Sequence, residues 1–183
     1  MRPAQASIAI VVTALAAAVA LTGCTESEKA AAPRLPDRTC FGIFTPSDIE
    51  PLMGSGTTVN ETAPVDIRLS AERRSATCNV DVDGQGRLLV SATRQPLGQH
   101  FTWPPGDPNQ PAADPLPLGD KGTVWNTGAR VALTCKGSTD SFELLLTIGG
   151  SVEHMKPGTS RSLFTTLMEK YLAAAKQQTG CGA

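Results

Sequence analysis

From Ser75 onward the chain alternates. Ala76, Cys78, Val80 and Val82 take every second position, with Thr77, Asn79 and Asp81 between them. After Asp83-Gly84-Gln85-Gly86, Leu88, Val90 and Ala92 resume the same period. Successive side chains of a strand point to opposite faces, so this pattern predicts a half-buried antiparallel hairpin turned at the Asp-Gly cluster. Val65, Ile67 and Leu69, alternating with Asp66 and Arg68, predict another strand just before it. A second group follows. Thr123-Val124-Trp125 leads through Asn126-Thr127-Gly128 into Ala129, Val131, Leu133 and Cys135, which alternate with Arg130, Ala132 and Thr134. Phe142, Leu144, Leu146 and Ile148 then alternate with Glu143, Leu145 and Thr147.

Two segments carry helical signals instead. Thr45-Pro46-Ser47-Asp48 combines a good N-cap, a proline at the first helical position and a carboxylate placed to reach back to the cap. Ile49, Leu52 and Met53 give this helix an apolar side, and Gly54 ends it. Pro51 interrupts its hydrogen-bond ladder, so it spans about two turns with a kink. From about Ser160 to Gln178, Leu163, Phe164, Leu167, Met168, Tyr171, Leu172 and Ala175 form one stripe, closed by Gly180. Each strand group has an inward cysteine on the first strand of a hairpin and a Leu-rich second strand soon after (Leu88 after Cys78, Leu144 after Cys135). The predicted fold class is therefore α+β: an antiparallel sheet in two pseudo-repeated hairpin groups, with a short N-terminal helix, a long C-terminal helix and two disulfides.

The N-terminus follows other rules. Ile8–Leu21 is an apolar run preceded by Arg2. A membrane-spanning helix needs about 20 apolar residues, and this shorter run suits the core of a signal peptide. Leu21-Thr22-Gly23-Cys24 fits the bacterial lipobox, with a small residue at the cut and a thiol that takes up a diacylglyceryl group. The expected division is a signal peptide over 1–23, a lipidated tether over 24–38 and a single domain over 39–183. Two acyl chains, palmitate among them, are enough for stable attachment where one is marginal. The tether, rich in Ala, Pro and charge, spans roughly 20 Å as a flexible coil. The domain is thus expected on the extracytoplasmic face of the cell membrane, held through Cys24.

Composition narrows the partners. The 183 residues carry 16 basic and 17 acidic side chains, for a net charge of −1, with no charge block. A nucleic-acid partner would leave a basic stripe, so none is expected. Ala, Gly, Pro, Thr and Arg are plentiful while Lys, Ile and Tyr are scarce, a bias of GC-rich genomes such as those of actinobacteria. With Cys24 lipidated, Cys40, Cys78, Cys135 and Cys181 form an even set in an oxidising compartment, and two disulfides follow. The layout favours Cys40–Cys78 with Cys135–Cys181; the rival is Cys78–Cys135 with Cys40–Cys181. No C-x₂-C pair is present and only His100 and His154 offer imidazole, which argues against a zinc site.

Candidate chemistry is sparse. Asp81-Val82-Asp83-Gly84-Gln85-Gly86 resembles the start of an EF-hand loop, but the twelfth position, which needs a bidentate acid, is Ala92. A hairpin turn explains it better. Gly54-Ser55-Gly56 and Gly149-Gly150-Ser151 do not make G-x-S-x-G. His154 lies near Ser151 and Ser160 and reads as a solvated loop residue. Asp48, Glu50, Asp107 and Asp114 offer carboxylates, with nothing to single out a catalytic pair. No catalytic residue, metal site or cofactor is assigned. The proline-rich loop 95–120 stands apart: it holds Phe101 and Trp103, and connections this long are usually functional or disordered. Either this loop lies on the sheet and buries Phe101 and Trp103, or it presents them to a partner. Proline lowers the entropy lost on docking and aromatic groups anchor interfaces, so Phe101 and Trp103 are the candidate partner-binding residues.

The stretch TCFGIFTPSDIEPLMG, followed by SATCNVDVDGQGRLLVSATRQP, resembles a family of uncharacterised actinobacterial envelope lipoproteins. These begin after their tether with a Cys, a helix of the form Leu-Thr-x-x-[Asp/Glu]-[Leu/Ile] and a Gly, followed by a second Cys on a strand. Cys40, Thr45, Asp48, Ile49, Gly54 and Cys78 match that pattern over about residues 39–95. The resemblance implies a Cys40–Cys78 bridge and a surface-exposed protein with no agreed activity. Cys135, Cys181 and the proline-rich loop depart from the pattern. The expected function is that of a membrane-anchored, non-catalytic binding or accessory domain of the cell envelope, its partner an envelope protein or a small ligand. The alternatives are an envelope hydrolase or transferase with a dispersed active site, and a structural spacer.

Overall fold

The computed structural model describes residues 32–97, 112–149, 155, 158–179 and 181. The signal segment, Cys24, Phe101, Trp103, His100 and His154 lie outside them. The described chain runs through α1 (Pro46–Met53), β1 (Val59–Thr62), β2 (Ser75–Val82), β3 (Gln85–Pro96), β4 (Asp114–Pro115), β5 (Lys121–Trp125), β6 (Gly128–Thr134), β7 (Asp140–Ile148) and α2 (Thr159–Thr179). The strands form one antiparallel sheet in the order β1-β2-β3-β7-β6-β5-β4. The hairpins β2–β3 and β6–β7 stand side by side and join through their second strands, so the two predicted strand groups make a single sheet. The architecture is the α+β arrangement expected from the alternation.

One face of that sheet is the core. Cys78 pairs with Val90, Val90 with Leu146, Leu146 with Ala129 and Ala129 with Val124, and all five are buried. Below this row, Ala92, Leu144 and Val131 form a second buried row in the same register. Helix α1 lays Ile49, Leu52 and Met53 on this face, and α2 lays Phe164, Leu167, Met168, Tyr171, Leu172 and Ala175 on it. The turn of β2–β3 uses Asp83 and Gly84 at φ 51° and 76°, the left-handed pair that matches the twist of a two-residue hairpin.

The two helices meet at the loop before α1. Cys40, Phe41 and Gly42 run consecutively at φ 47°, 60° and 72°. Left-handed backbone costs a non-glycine residue roughly 1–2 kcal/mol. Four backbone hydrogen bonds hold it: Thr39 N–H to the Phe44 carbonyl, Phe44 N–H to the Thr39 carbonyl, and Ile43 N–H shared between the Thr39 and Cys40 carbonyls. The return is that both aromatic side chains turn inward, their ring centroids each 6.4 Å from that of Tyr171 on α2. The pairing expected from the layout holds. Cys40 is bonded to Cys78, and Cys135 to Cys181, with Cα–Cα distances of 5.4 and 4.8 Å; the rival pairing is excluded.

Three details depart from the sequence reading. Residues 65–69 are not a strand: Val65 is 94% exposed while Ile67 is fully buried, and β1 lies upstream at Val59–Thr62. Here side chains take the backbone groups a ladder would use. Asp66 accepts from the Arg68 N–H, Ser70 from those of Glu72 and Arg73, and the Ile67 N–H donates to Gln178 on α2. Cys135 sits one residue beyond β6 and is half-buried, so it is not an inward strand residue like Cys78. Packing also begins inside the segment read as tether: Pro33 is buried and Leu35 packs against the core. Among the described residues, no helix is long and apolar enough to cross a membrane.

Asp48 locks α1 to α2. Its carboxylate accepts from the Thr45 N–H and hydroxyl at 2.9 and 2.8 Å and from the Lys170 ammonium on α2. Burial pushes its pKa up, but the bonds from Lys170 and Thr45 outweigh burial and hold it below the ordinary 3.8. The unfolded chain therefore takes up the proton first. The stabilisation is complete above 3.8 and is lost as pH falls through the lower native value. Asp48→Asn is expected to cost about 1 kcal/mol at neutral pH, with the deficit shrinking towards pH ~2. Urea denaturation at both pH values measures this; an equal deficit at both would show that the charge contributes nothing.

Candidate functional site

The alternation that fills the core leaves a second face, made by the residues between the buried ones. Strand register sets it out in rows. Leu89, Thr147, Gly128 and Trp125 lie across from one another in turn. Ser91, Leu145, Arg130 and Thr123 form the next row, and Thr93, Glu143, Ala132 and Lys121 the third. Among the described residues both helices contribute their buried side chains to the opposite face.

The centre of this surface is part apolar and part charged. A Cβ built on Gly128 would come within 2.8 Å of Trp125 Cζ2, so the indole lies across the glycine that pairs with it. The same Cβ would meet the Leu146 carbonyl oxygen at 2.5 Å, which makes glycine a requirement of the sheet as well as of the tryptophan. Leu89 and Leu145 lie on neighbouring strands. Arg130 Nε stands 3.8 Å from Glu143 Oε2, with side chains 16% and 17% exposed, far less than a surface ion pair normally is. An indole, two leucines, a shielded arginine–glutamate pair and hydroxyls from Ser91, Thr93, Thr123 and Thr147 make a surface that can bind both apolar and polar groups. Aromatic and arginine side chains are the residue types enriched at such interfaces.

The carboxylates named from sequence have other partners. Asp48 binds Thr45 and Lys170, as above. Asp114 accepts from Arg161 of α2, which also donates to the Asn126 side chain at 2.8 Å and the Ala112 carbonyl at 2.9 Å. Arg161 thus pins the returning end of the proline-rich loop to the last helix. Asp83 accepts from the Thr58 N–H and from the Thr57 N–H and hydroxyl; these bonds hold its pKa below the ordinary 3.8 and fasten the segment after α1 to the β2–β3 turn. Residues 81–92 accordingly form a hairpin, with Ala92 buried in β3. Glu50 is exposed on α1, and Ser160 is buried in the first turn of α2. Ser151 and Asp107 lie outside the described residues, as do the partner-binding candidates Phe101 and Trp103 and the lipidation residue Cys24.

A second constellation surrounds the first disulfide. Glu61 projects from β1 to the Cys40–Cys78 bridge. Its Oε1 accepts from the Cys40 N–H at 2.8 Å and lies 3.8 Å from Cys78 Sγ. One ligand atom from each of Cys40, Glu61 and Cys78 falls within 4.8 Å of the other two. Both cysteines are fully buried and Glu61 is half-buried. Glu61 carries no sequence signal, because Val59–Thr62 (VNET) is short and polar and reads as a loop. The alternation places Trp125 on a strand, but its role on the second face depends on the β5–β6–β7–β3 register, which is not local. Compared with family models, curated proteins and solved structures, the chain matches none.

Proposed function

We propose that this chain is a lipoprotein of the bacterial cell envelope, held to the extracytoplasmic face of the membrane by acyl chains on Cys24, and that its folded domain is a non-catalytic binding or accessory module. The address rests on the apolar run Ile8–Leu21 and the Leu21-Thr22-Gly23-Cys24 box. The arrangement of cysteines and the α1 motif supports kinship with actinobacterial envelope lipoproteins of the same Cys–helix–Gly pattern. The binding role rests on one observation: the sheet commits one face to both helices and presents on the other Trp125, Leu89 and Leu145 beside the shielded Arg130–Glu143 pair. The carboxylates Asp48, Asp83 and Asp114 serve the fold, each tying one element to another.

The experiment has two arms. Cys24→Ala is expected to yield an unprocessed precursor or a protein without acyl chains; normal maturation and detergent partitioning of the variant would overturn the anchor. A photo-crosslinking side chain at Ser91, on the second face, is compared in native envelopes with one at Glu50, exposed on α1. The binding reading expects adducts from position 91 that Trp125→Ala removes. Identical adducts from both positions, or none from position 91, would overturn it.

A further inference from the structure

From the contacts of Glu61 we infer that the Cys40–Cys78–Glu61 cluster is a binding site for a thiophilic divalent cation of the zinc type, present when the Cys40–Cys78 bridge is reduced. A disulfide sulfur carries no hydrogen. The 3.8 Å approach of Glu61 Oε1 to Cys78 Sγ is therefore not a hydrogen bond in the oxidised protein. A carboxylate oxygen there faces electron-rich sulfur, and among the described residues the Cys40 N–H is its one donor. Either a thiol hydrogen or a metal ion between the three ligands would use that oxygen fully.

The chemistry of the donor set is specific. Two thiolates and one carboxylate suit zinc, which takes sulfur at about 2.3 Å and carboxylate oxygen at about 2.0–2.2 Å in a tetrahedron, leaving its fourth position to water. Around such an ion the ligand atoms stand roughly 3.5–3.8 Å apart, close to the sulfur–oxygen separation already present. The ligands come from the loop before α1, from the edge strand β1 and from its neighbour β2, so a bound ion crosslinks the two elements that the disulfide joins and adds β1 to them. Among the described residues no other group of three such side chains comes together, and the Cys135–Cys181 bridge has no carboxylate so placed.

The step balances with a dithiol reductant. It gives two electrons and two protons to the Cys40–Cys78 bond, becomes a disulfide itself, and leaves two cysteine thiols. The cation then displaces both thiol protons to solvent and binds two thiolates and the Glu61 carboxylate. The oxidised staple and the metal site are thus alternative states of the same two sulfurs.

The test uses the full chain, reduced with a phosphine under nitrogen and titrated with Co²⁺, then with competing Zn²⁺. A single equivalent is expected to produce a near-ultraviolet sulfur-to-cobalt charge-transfer band that Zn²⁺ abolishes. Cys135→Ser/Cys181→Ser should keep the band, and Cys40→Ser/Cys78→Ser should lose it. Glu61→Gln should weaken binding by on the order of 100-fold, since loss of even an outer partner of a metal ligand costs 10–100-fold. If reduction unfolds the chain, one equivalent of Zn²⁺ is expected to restore its far-ultraviolet circular dichroism. A band that survives Cys40→Ser/Cys78→Ser, unchanged affinity in Glu61→Gln, or a reduced chain that neither binds Co²⁺ nor refolds with Zn²⁺ would overturn the site.

Discussion

Replacing Tyr171 by alanine is expected to destabilise the domain by about 3–5 kcal/mol, the cost of emptying a large aromatic site in a packed core. Replacing it by phenylalanine is expected to stabilise it by about 1 kcal/mol. The ring is fully buried and is met by Phe41 and Phe44 from the strained loop before α1. Among the described residues its hydroxyl has no hydrogen-bond partner. Burying an unpaired hydroxyl carries a penalty that phenylalanine avoids while keeping the packing. Burial also pushes the phenol pKa well above its ordinary 10.0. The unfolded chain ionises first, so the stability tied to this group is complete below pH 10 and is lost as pH rises beyond it. Tyr171 is the only tyrosine of the chain, so the difference between wild type and Tyr171→Phe isolates that loss from the titration of lysines. Denaturation at neutral pH and above pH ~10 reads all three effects. A phenylalanine variant less stable than wild type would mean that the hydroxyl is bonded after all, for instance to a buried water.

Removing the Cys135–Cys181 bridge with paired serines is expected to cost about 4 kcal/mol, the chain-entropy value for a closed loop of this size. The bridge spans 46 residues and fastens the C-terminal end of α2 beside the end of β6. Domains of this kind are stable by roughly 5–15 kcal/mol in total, so the loss takes a large share. The consequence is local as well as global. Ile67 has no strand partner; its N–H is held by Gln178, near that end of α2. A freed helix end should release the 63–74 segment with it. Denaturant midpoints give the first effect and amide exchange at Ile67 the second. A loss below about 1 kcal/mol would show that Phe164, Leu167, Met168 and Tyr171 hold α2 without the staple.

The same residues show what could be read from the chain and what could not. The core strands were legible because each has one buried face, and burial on one face imposes period two. Helix α2 was legible because its stripe is long, and α1 because its start carries a proline, a cap and a carboxylate together. The segment 65–69 misled because it has the right period for the wrong cause. Its one buried residue, Ile67, is held by a side chain of α2, while Val65 faces water. β1 and β4 were invisible: four and two residues of mixed polarity carry too little pattern to register. The disulfide partners followed from layout, but the carboxylate beside one of them did not. Glu61 reaches Cys78 only because β1 lies antiparallel to β2, and that pairing has no local signature.

The seam between β3 and β7 has a consequence for how the molecule assembles. Each hairpin closes locally, β2–β3 through two residues at Asp83 and Gly84, whereas the seam joins positions as remote in sequence as Leu88 and Ile148. Such contacts carry a loop-closure cost and form late. Until they form, each half ends on a bare strand, and these are the two longest strands of the sheet. The outer rims are blunt by comparison: β1 is short and carries Glu61, and β4 is two residues, one of them Pro115. A half-folded chain therefore shows its most adhesive edges, and β7 of a second copy matches the open β3 as well as its own does, which is the condition for exchanged, intertwined dimers. Closing the seam removes that opportunity and turns the blunt rims of the described sheet towards neighbouring molecules.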